Sequence, residues 1–301
     1  MSAAGEGNER NQALRRVADR LARQRTPPGL ADGTIPLWDA SFFGLDRIAL
    51  FREADTRSRQ SVLAGCADEL LAESWRIECC GIDYCARMAL TAESGDERHL
   101  FVLIGADEAR HAAWLAPWIA ARAPAPDPFI RFIAGLAESG NRQALAYLLQ
   151  VVLEGFGITH YSALGAHCRD AGLADIFRCL SREEALHHAA GLAAFWPERL
   201  TLGDRRFLAD AAQTFLEMIR CGPQGVVAAL DQGIGLGDQN DAAAAFCALE
   251  SEASSAAKLA RLRRLMTQPG MHWLVDTLAA GGLFEPCPAL DCARIYTARR
   301  Q

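Results

Sequence analysis

Asp107-Glu108-Ala109-Arg110-His111 and Glu183-Glu184-Ala185-Leu186-His187 each contain a Glu-x-x-His, and the second stands 76 residues after the first. A lone glutamate precedes each motif by 30 residues, Glu78 in one case and Glu154 in the other, so one offset relates all three members of the set. The flanking sequence repeats too: Glu78-Cys79-Cys80-Gly81-Ile82 against Glu154-Gly155-Phe156-Gly157-Ile158. Residues three apart on a helix share a face and lean back along it, so a Glu and a His at that spacing can grip one ion together. Thirty residues is the length needed to run down one helix, turn, and return alongside. A single Glu-x-x-His is a common accident on a solvated helix face. Two copies with matching upstream glutamates read as two halves of one di-metal site, with the four carboxylates and two imidazoles by which helix bundles hold two iron or manganese ions.

Helical patterning spreads outward from these motifs. From Arg57 to about Glu93 no proline interrupts the pattern, and Leu71, Trp75, Ile82, Cys85 and Met88 share the face of Glu78. Asp96 reads as the N-cap of the next helix, whose stripe is Phe101, Ile104, Glu108, His111, Leu115 and Trp118. Pro124, Pro126 and Pro128 close that pair, and a short segment from Phe129 to Ala137 crosses over. A third helix begins at Asn141 with Tyr147, Val151, Glu154, Ile158 and Tyr161 facing inward. After the turn at Asp170-Ala171-Gly172, a fourth runs from Leu173 to about Phe195, with Phe177, Leu180, Glu184, His187 and Gly191 on one face.

The predicted fold is all-α. A four-helix bundle spans 57–200, a helical segment over 1–56 packs on it, and additional helices over 201–301 complete the chain. Within the first part, a charged amphipathic helix from about Arg10 to Arg25 ends at Pro27-Pro28-Gly29, and the aromatic-rich run Pro36 to Phe51 packs against the bundle or covers its end. Within the last, helices are expected over Asp204 to Arg220, after Gly222-Pro223, over an alanine-rich stretch from about Asp241 to Met266, and over Met271 to Ala279. The stretch Gly233 to Gly237 reads as a flexible connector; with no strand before it, it is not a nucleotide loop.

Composition narrows the class. Of 301 residues 50% are hydrophobic and 23% charged, ample for a globular core. A net charge of −6 gives no nucleic-acid surface, although Lys258 is the sole lysine among the basic residues. The polar start Met1-Ser2-Ala3-Ala4 lacks a secretory profile and no apolar run reaches the length of a membrane span, so a cytoplasmic protein with no membrane association is expected. Ten cysteines contain no pair of CxxC knuckles and are expected mostly as small buried hydrophobes.

The ligand pattern over 57–195 resembles the ferritin-like di-iron carboxylate superfamily. Its members include ribonucleotide reductase small subunits, multicomponent monooxygenase hydroxylases, acyl-carrier-protein desaturases, p-aminobenzoate-type N-oxygenases and rubrerythrins. The resemblance implies that Glu78, Glu108 and His111 serve one metal and Glu154, Glu184 and His187 the other, with two carboxylates bridging, and that these six form the catalytic centre. Asp107 to His111 is similar to the Asp-Glu-x-Arg-His strings of the oxygenases, where the acid before the ligand glutamate holds a ligand histidine by its free ring nitrogen. Asp107 and Glu183 occupy that position here.

Departures narrow the choice. Leu115 stands four residues past His111, where a reductase subunit carries its radical tyrosine, and Leu180 stands where the N-oxygenases carry an additional histidine ligand. Absent knuckles argue against a rubrerythrin, and the helices after Leu200 exceed what a simple ferritin needs.

The resemblance therefore implies an oxygen-dependent non-haem di-iron oxygenase or oxidase acting on a small organic substrate by hydroxylation, N-oxygenation or desaturation. Two iron ions are expected, with a mixed manganese–iron pair open, and dioxygen as co-substrate. No flavin, haem or iron–sulfur motif is visible, so a ferredoxin or flavin reductase is expected as electron donor; a homodimer is left open. The alternative is a peroxide-scavenging rubrerythrin-like protein or an iron-binding storage protein.

Gly81 and Gly157 each follow a ligand glutamate by three residues. Glycine inside a helix costs about 1 kcal/mol relative to alanine, so either helices pack closely there or space is kept for dioxygen or substrate. In the second case Ile82, Cys85, Ile158 and Tyr161 line the same apolar pocket. His160 and Glu73 fall well off the ligand stripes, and His188 is expected to point at a neighbouring helix; none is read as a ligand.

Overall fold

The computed structural model describes residues 36–119, 128–139 and 141–300, and the expected helix from Arg10 to Arg25, with Pro27-Pro28-Gly29 and with Pro124 and Pro126, lies outside them. Among the described residues every regular element is helical. Two short helices, α1 (Ala40–Phe43) and α2 (Ala49–Glu53), lead into α3 (Thr56–Leu90), which opens on Asp55 accepting from the Ser58 amide. α4 (Gly95–Leu115) follows and packs along α3. Its N-cap is Ser94, which accepts from the Glu97 amide, rather than the expected Asp96. The four-residue serine-ended turn starts the helix two positions earlier, and Asp96 falls in the first turn beside the positive end of the helix dipole.

α5 (Pro128–Ser139) crosses over onto α3. The third long helix is not uniform: α6 (Arg142–Leu145) runs into a π-helical stretch, Ala146–Leu153, and then into α7 (Glu154–His167). Seven successive residues of that stretch, Ala146 to Val152, are buried, because helices cover it on every side. A helix apolar all round carries no periodic stripe, so its sequence left the register open. The wider turn of the π stretch alters which side chains share the face of Glu154. Tyr147, expected on the metal-facing stripe, instead sends its hydroxyl to the Met266 carbonyl, 2.7 Å away on an outer helix. α8 (Ala171–Ala194) returns alongside α7.

The remaining helices wrap two sides of this group. α9 (Leu202–Arg220) starts at a capping box between Thr201 and Asp204, and α10 (Gln224–Ile234) lies on α3. The alanine-rich stretch divides at Glu250, whose φ is +50°, into α11 (Gln239–Ala248) and α12 (Ser251–Met266). The break lets Phe246 join a core shared with Leu45, Val62 and Leu230 while Leu259, Leu262 and Met266 join the core of the central helices; one straight helix would serve only one of them. α13 (His272–Ala280) and α14 (Ala289–Arg300) follow.

Gly233, expected in a flexible connector, belongs to α10. A Cβ there would stand 2.5 Å from Val62 Cγ2, so the glycine lets two helices touch. At the end of the bundle nearest residue 164, Trp38 is fully buried against Phe177 and donates its indole N–H to the Leu164 carbonyl at 3.1 Å. No helix among the described residues is long and apolar enough to cross a membrane.

Candidate metal centre

All six residues of the repeated set converge between α3, α4, α7 and α8. Glu78, Glu108, His111 and Glu184 offer donor atoms within 4.8 Å of one another, and Glu108, Glu154, Glu184 and His187 do the same. Glu108 and Glu184 belong to both groups, so the two Glu-x-x-His glutamates lie between the two halves and Glu78 and Glu154 close the ends.

The helices explain this convergence. Glu108 and His111 share one face of α4, Glu184 and His187 one face of α8. The contacts between them pair residue 110 with 183 and residue 107 with 187, so α4 and α8 run antiparallel with the two motifs level. Each histidine is thereby held by the acid of the opposite motif. His111 Nε2 meets Glu183 at 2.6 Å, and His187 Nε2 faces Asp107 at a looser 3.5 Å. The other ring nitrogens turn inward: His111 Nδ1 is 2.9 Å from Glu78, and His187 Nδ1 is 3.0 Å from Glu108.

Arg110, to which the sequence reading gave no role, joins Asp107 and Glu183 at 2.7 Å each and lies over the Trp114 ring. Its position three after Asp107, on the same side of the helix, was the available signal. Tyr161, expected on the inward stripe as pocket lining, is buried and donates its hydroxyl to Glu78 in a short contact. The pairing of Gln150 with Tyr84 was also unforeseen. Both are buried, and the Tyr84 hydroxyl donates to the Gln150 side-chain carbonyl at 2.9 Å.

Electrostatics mark the cluster as incomplete without cations. Burial, then the Glu78 charge, drives Glu108 well above the usual carboxylate range, and burial, then Glu154, does the same to Glu184. Burial would also raise Glu78, but the bond and charge of His111 outweigh it and hold this carboxyl below its ordinary value. Burial opposes protonation of His111, yet Glu183 and Glu78 together lift it to about 10. Glu108 Oε1 and Glu184 Oε2 are buried and make no well-aligned hydrogen bond, and His187 Nδ1 faces them at 3.0 and 3.6 Å. Carboxylates at most 3% exposed and so thinly partnered are costly unless something positive neutralises them. Two divalent cations would balance four carboxylates, and the donor set is that of di-iron and di-manganese bundles. The residues present therefore fit a pair of metal ions.

Gly81 and Gly157 differ. A Cβ at Gly81 would stand 2.7 Å from Glu108 Oε2, so this glycine makes room for a cluster carboxylate; a Cβ at Gly157 would meet nothing within 4 Å. Cys85 is buried, with Ile82 and Ile158 partly so. A cavity of about 270 Å³ lies on another face of α3, between Cys80, Asp83, Arg87 and Ala137. His188 reaches the Val151 carbonyl at 2.9 Å, as expected of a residue turned to a neighbouring helix. His160 packs on Tyr161, and burial, with Lys258 nearby, lowers it to about 4.

Compared with known proteins, the chain matches no family model, no curated protein and no solved structure. The cluster itself is what speaks for function: a buried group of Glu and His that can hold metal ions.

Proposed function

We propose that this protein is a non-haem di-iron oxygenase or oxidase on a ferritin-like four-helix bundle, using dioxygen and an external electron donor to oxidise a small organic substrate. The observation that carries the reading is the pair of overlapping four-donor groups sharing Glu108 and Glu184. Two ions bound that close together supply oxygen activation, and the remaining work falls to the chain.

Glu78, Glu108, His111 and Glu184 would hold one ion, and Glu108, Glu154, Glu184 and His187 the other. Glu183 fixes the His111 ring by its outer nitrogen, leaving Nδ1 as the donor, and Asp107 faces the outer nitrogen of His187 in the same sense. Arg110 holds both acids in place. The Tyr161 hydroxyl orients Glu78 and can hold or pass a proton at Glu78 Oε1. Trp38, Leu115, Leu164 and Phe177, all buried, keep water from the end of the bundle where Tyr161 lies. The space beside Gly157 is the natural approach for a substrate. Iron or a mixed manganese–iron pair suits the donors equally, and a free substrate or one carried on a protein fits the reading.

The test is metal analysis joined to oxygen uptake. Purified protein should hold about two iron or manganese ions per chain, and with a reductase and a panel of small organic compounds it should consume oxygen in a substrate-dependent way. Two ions with ferrous oxidation or peroxide reduction alone, whatever substrate is supplied, would assign it to iron handling or peroxide scavenging instead.

A further inference from the structure

Three of the ten cysteines meet outside the metal cluster. Cys221 caps the C-terminus of α9, Cys287 stands between Pro286 and Pro288 in the segment leading into α14, and Cys292 lies in the first turn of α14. The Cys287 amide donates to the Arg220 carbonyl at 3.1 Å, and the Arg220 side chain donates to the Glu285 carbonyl at 2.6 Å. Cys221 directly follows that carbonyl, so its Cα and that of Cys287 are one backbone hydrogen bond apart, on the scale of the ~4.4–6.8 Å that a disulfide spans. A proline on each side holds Cys287 in extended backbone and out of the helix that follows. The Gln224 side-chain amide closes the group, donating to the carbonyls of Cys221 at 2.6 Å and Cys292 at 3.2 Å.

The side chains follow the backbone. All three thiols are free, and those of Cys221 and Cys287 are hydrogen-bonded side chain to side chain. The Cys292 thiol turns instead to the Cys287 carbonyl, 3.5 Å away. Cys221 and Cys292 are buried and Cys287 is partly open to solvent. Burial pushes the Cys221 thiol up to about 11 and that of Cys292 to about 12, so both stay protonated and a reagent from solvent meets Cys287 first. Cysteines that serve only as small buried hydrophobes do not require such a contact between two chain segments.

We propose that Cys221 and Cys287 form a reversible disulfide, with a peroxide as the oxidant and Cys292 outside the pair. The Cys287 sulfur attacks the O–O bond of hydrogen peroxide, an S–O bond forms as the O–O bond breaks, and the expelled hydroxide leaves as water with the thiol proton. The Cys221 sulfur then displaces the sulfenic oxygen, which departs as a second water with the Cys221 proton. Two thiols and one peroxide thus give one disulfide and two waters, the sulfurs losing the two electrons that the peroxide gains. The bond would tie the end of α9 to the entry of α14 and close a loop running from residue 221 to residue 287.

Peptide mapping of the full chain tests this. Reduced protein is treated with a small excess of hydrogen peroxide, alkylated, and cut before its aspartates, which at Asp231 separates Cys221 from Cys247 and at Asp291 separates Cys287 from Cys292. A peptide pair joined through Cys221 and Cys287, two hydrogens lighter than the sum of its parts and released by dithiothreitol, is the expected product. Cys292→Ser should form the same link, whereas Cys221→Ser should stop at a sulfenic acid on Cys287 that dimedone traps. A link between Cys287 and Cys292 in wild-type protein, or oxidation of Cys287 to higher acids with Cys221 left free, overturns the proposal.

Discussion

The two halves of the cluster are copies in sequence and unequal in structure. In the first, Glu78 is almost wholly buried on a continuous α-helix and is held by both His111 and Tyr161. In the second, Glu154 is half-buried at the end of a π-helical stretch, and the residue seven past Glu78, matching Tyr161, is Cys85. One end of the site is therefore fixed by a hydroxyl that has no counterpart at the other. The glycines diverge likewise, Gly81 closed against Glu108 and Gly157 open. A repeat that supplies the same residue types twice therefore gives its two halves unequal surroundings.

The sharpest way to break this comparison is through the shared glutamates. Glu108→Ala or Glu184→Ala should empty both positions, taking the content from about two ions per chain to nearly none, whereas Glu78→Ala or Glu154→Ala should leave about one. Metal analysis after dialysis reads the difference; a retained pair in Glu108→Ala would show that the donors are misassigned. Next come the glycines. Gly81→Ala pushes a methyl into Glu108 and should weaken metal binding ~10-fold or more, while Gly157→Leu, if circular dichroism shows it folded, should keep its metals and lose substrate-dependent oxygen uptake. Equal metal affinity in the two variants would erase the distinction between the closed and open sides.

Tyr161→Phe should cost about 10-fold in affinity at one of the two positions, the scale of lost outer hydrogen bonds to metal ligands, and Cys85→Ala should cost little. Competitive titration with a chelator separates the two; a Cys85 effect as large as that of Tyr161 would restore symmetry. The smallest effect is on the metal-free protein. His111 is raised from its ordinary value to about 10 by Glu183 and Glu78 against burial, so its charged form stabilises the fold fully below about pH 6.5 and that contribution fades as pH rises towards 10. The unfolding midpoint of metal-free protein should fall by a few degrees over that interval, and more than that of the metal-loaded protein, in which the ring cannot carry the proton. Midpoints that fall in parallel would mean that the cluster groups whose protonated forms the fold favours, His111 with Glu108 and Glu184, are not responsible.

Much of the site was legible because its members are tied by local spacing. Glu108 and His111 must share a helix face once the segment is helical, and the repeat at 76 residues tells that two such faces exist. Tyr161 was visible as a residue near Glu78 and not as its partner, since that bond spans two helices 83 residues apart in sequence. Tyr147 was misplaced because a stretch buried on all sides has no apolar stripe from which a register could be taken, and a π-helical turn leaves no mark in composition. The break at Glu250 was hidden for a related reason: alanine-rich sequence favours helix throughout, and only the competition of two cores for Phe246 and Leu259 ends it.

The sequence by itself determined the helical class, the six donors and their division into two halves, because helix periodicity and chain-length spacing are local properties that residue order carries directly. Tertiary structure alone decided that Glu108 and Glu184 lie between the halves, that each histidine is held by the opposite motif's acid, and that Tyr161 closes on Glu78 while a side chain at Gly157 would meet open space. Those facts depend on the antiparallel register of α4 against α8 and on the turn of the third helix. Both are set by how whole apolar faces pack, a sum over many distant contacts that no single stretch of the chain encodes.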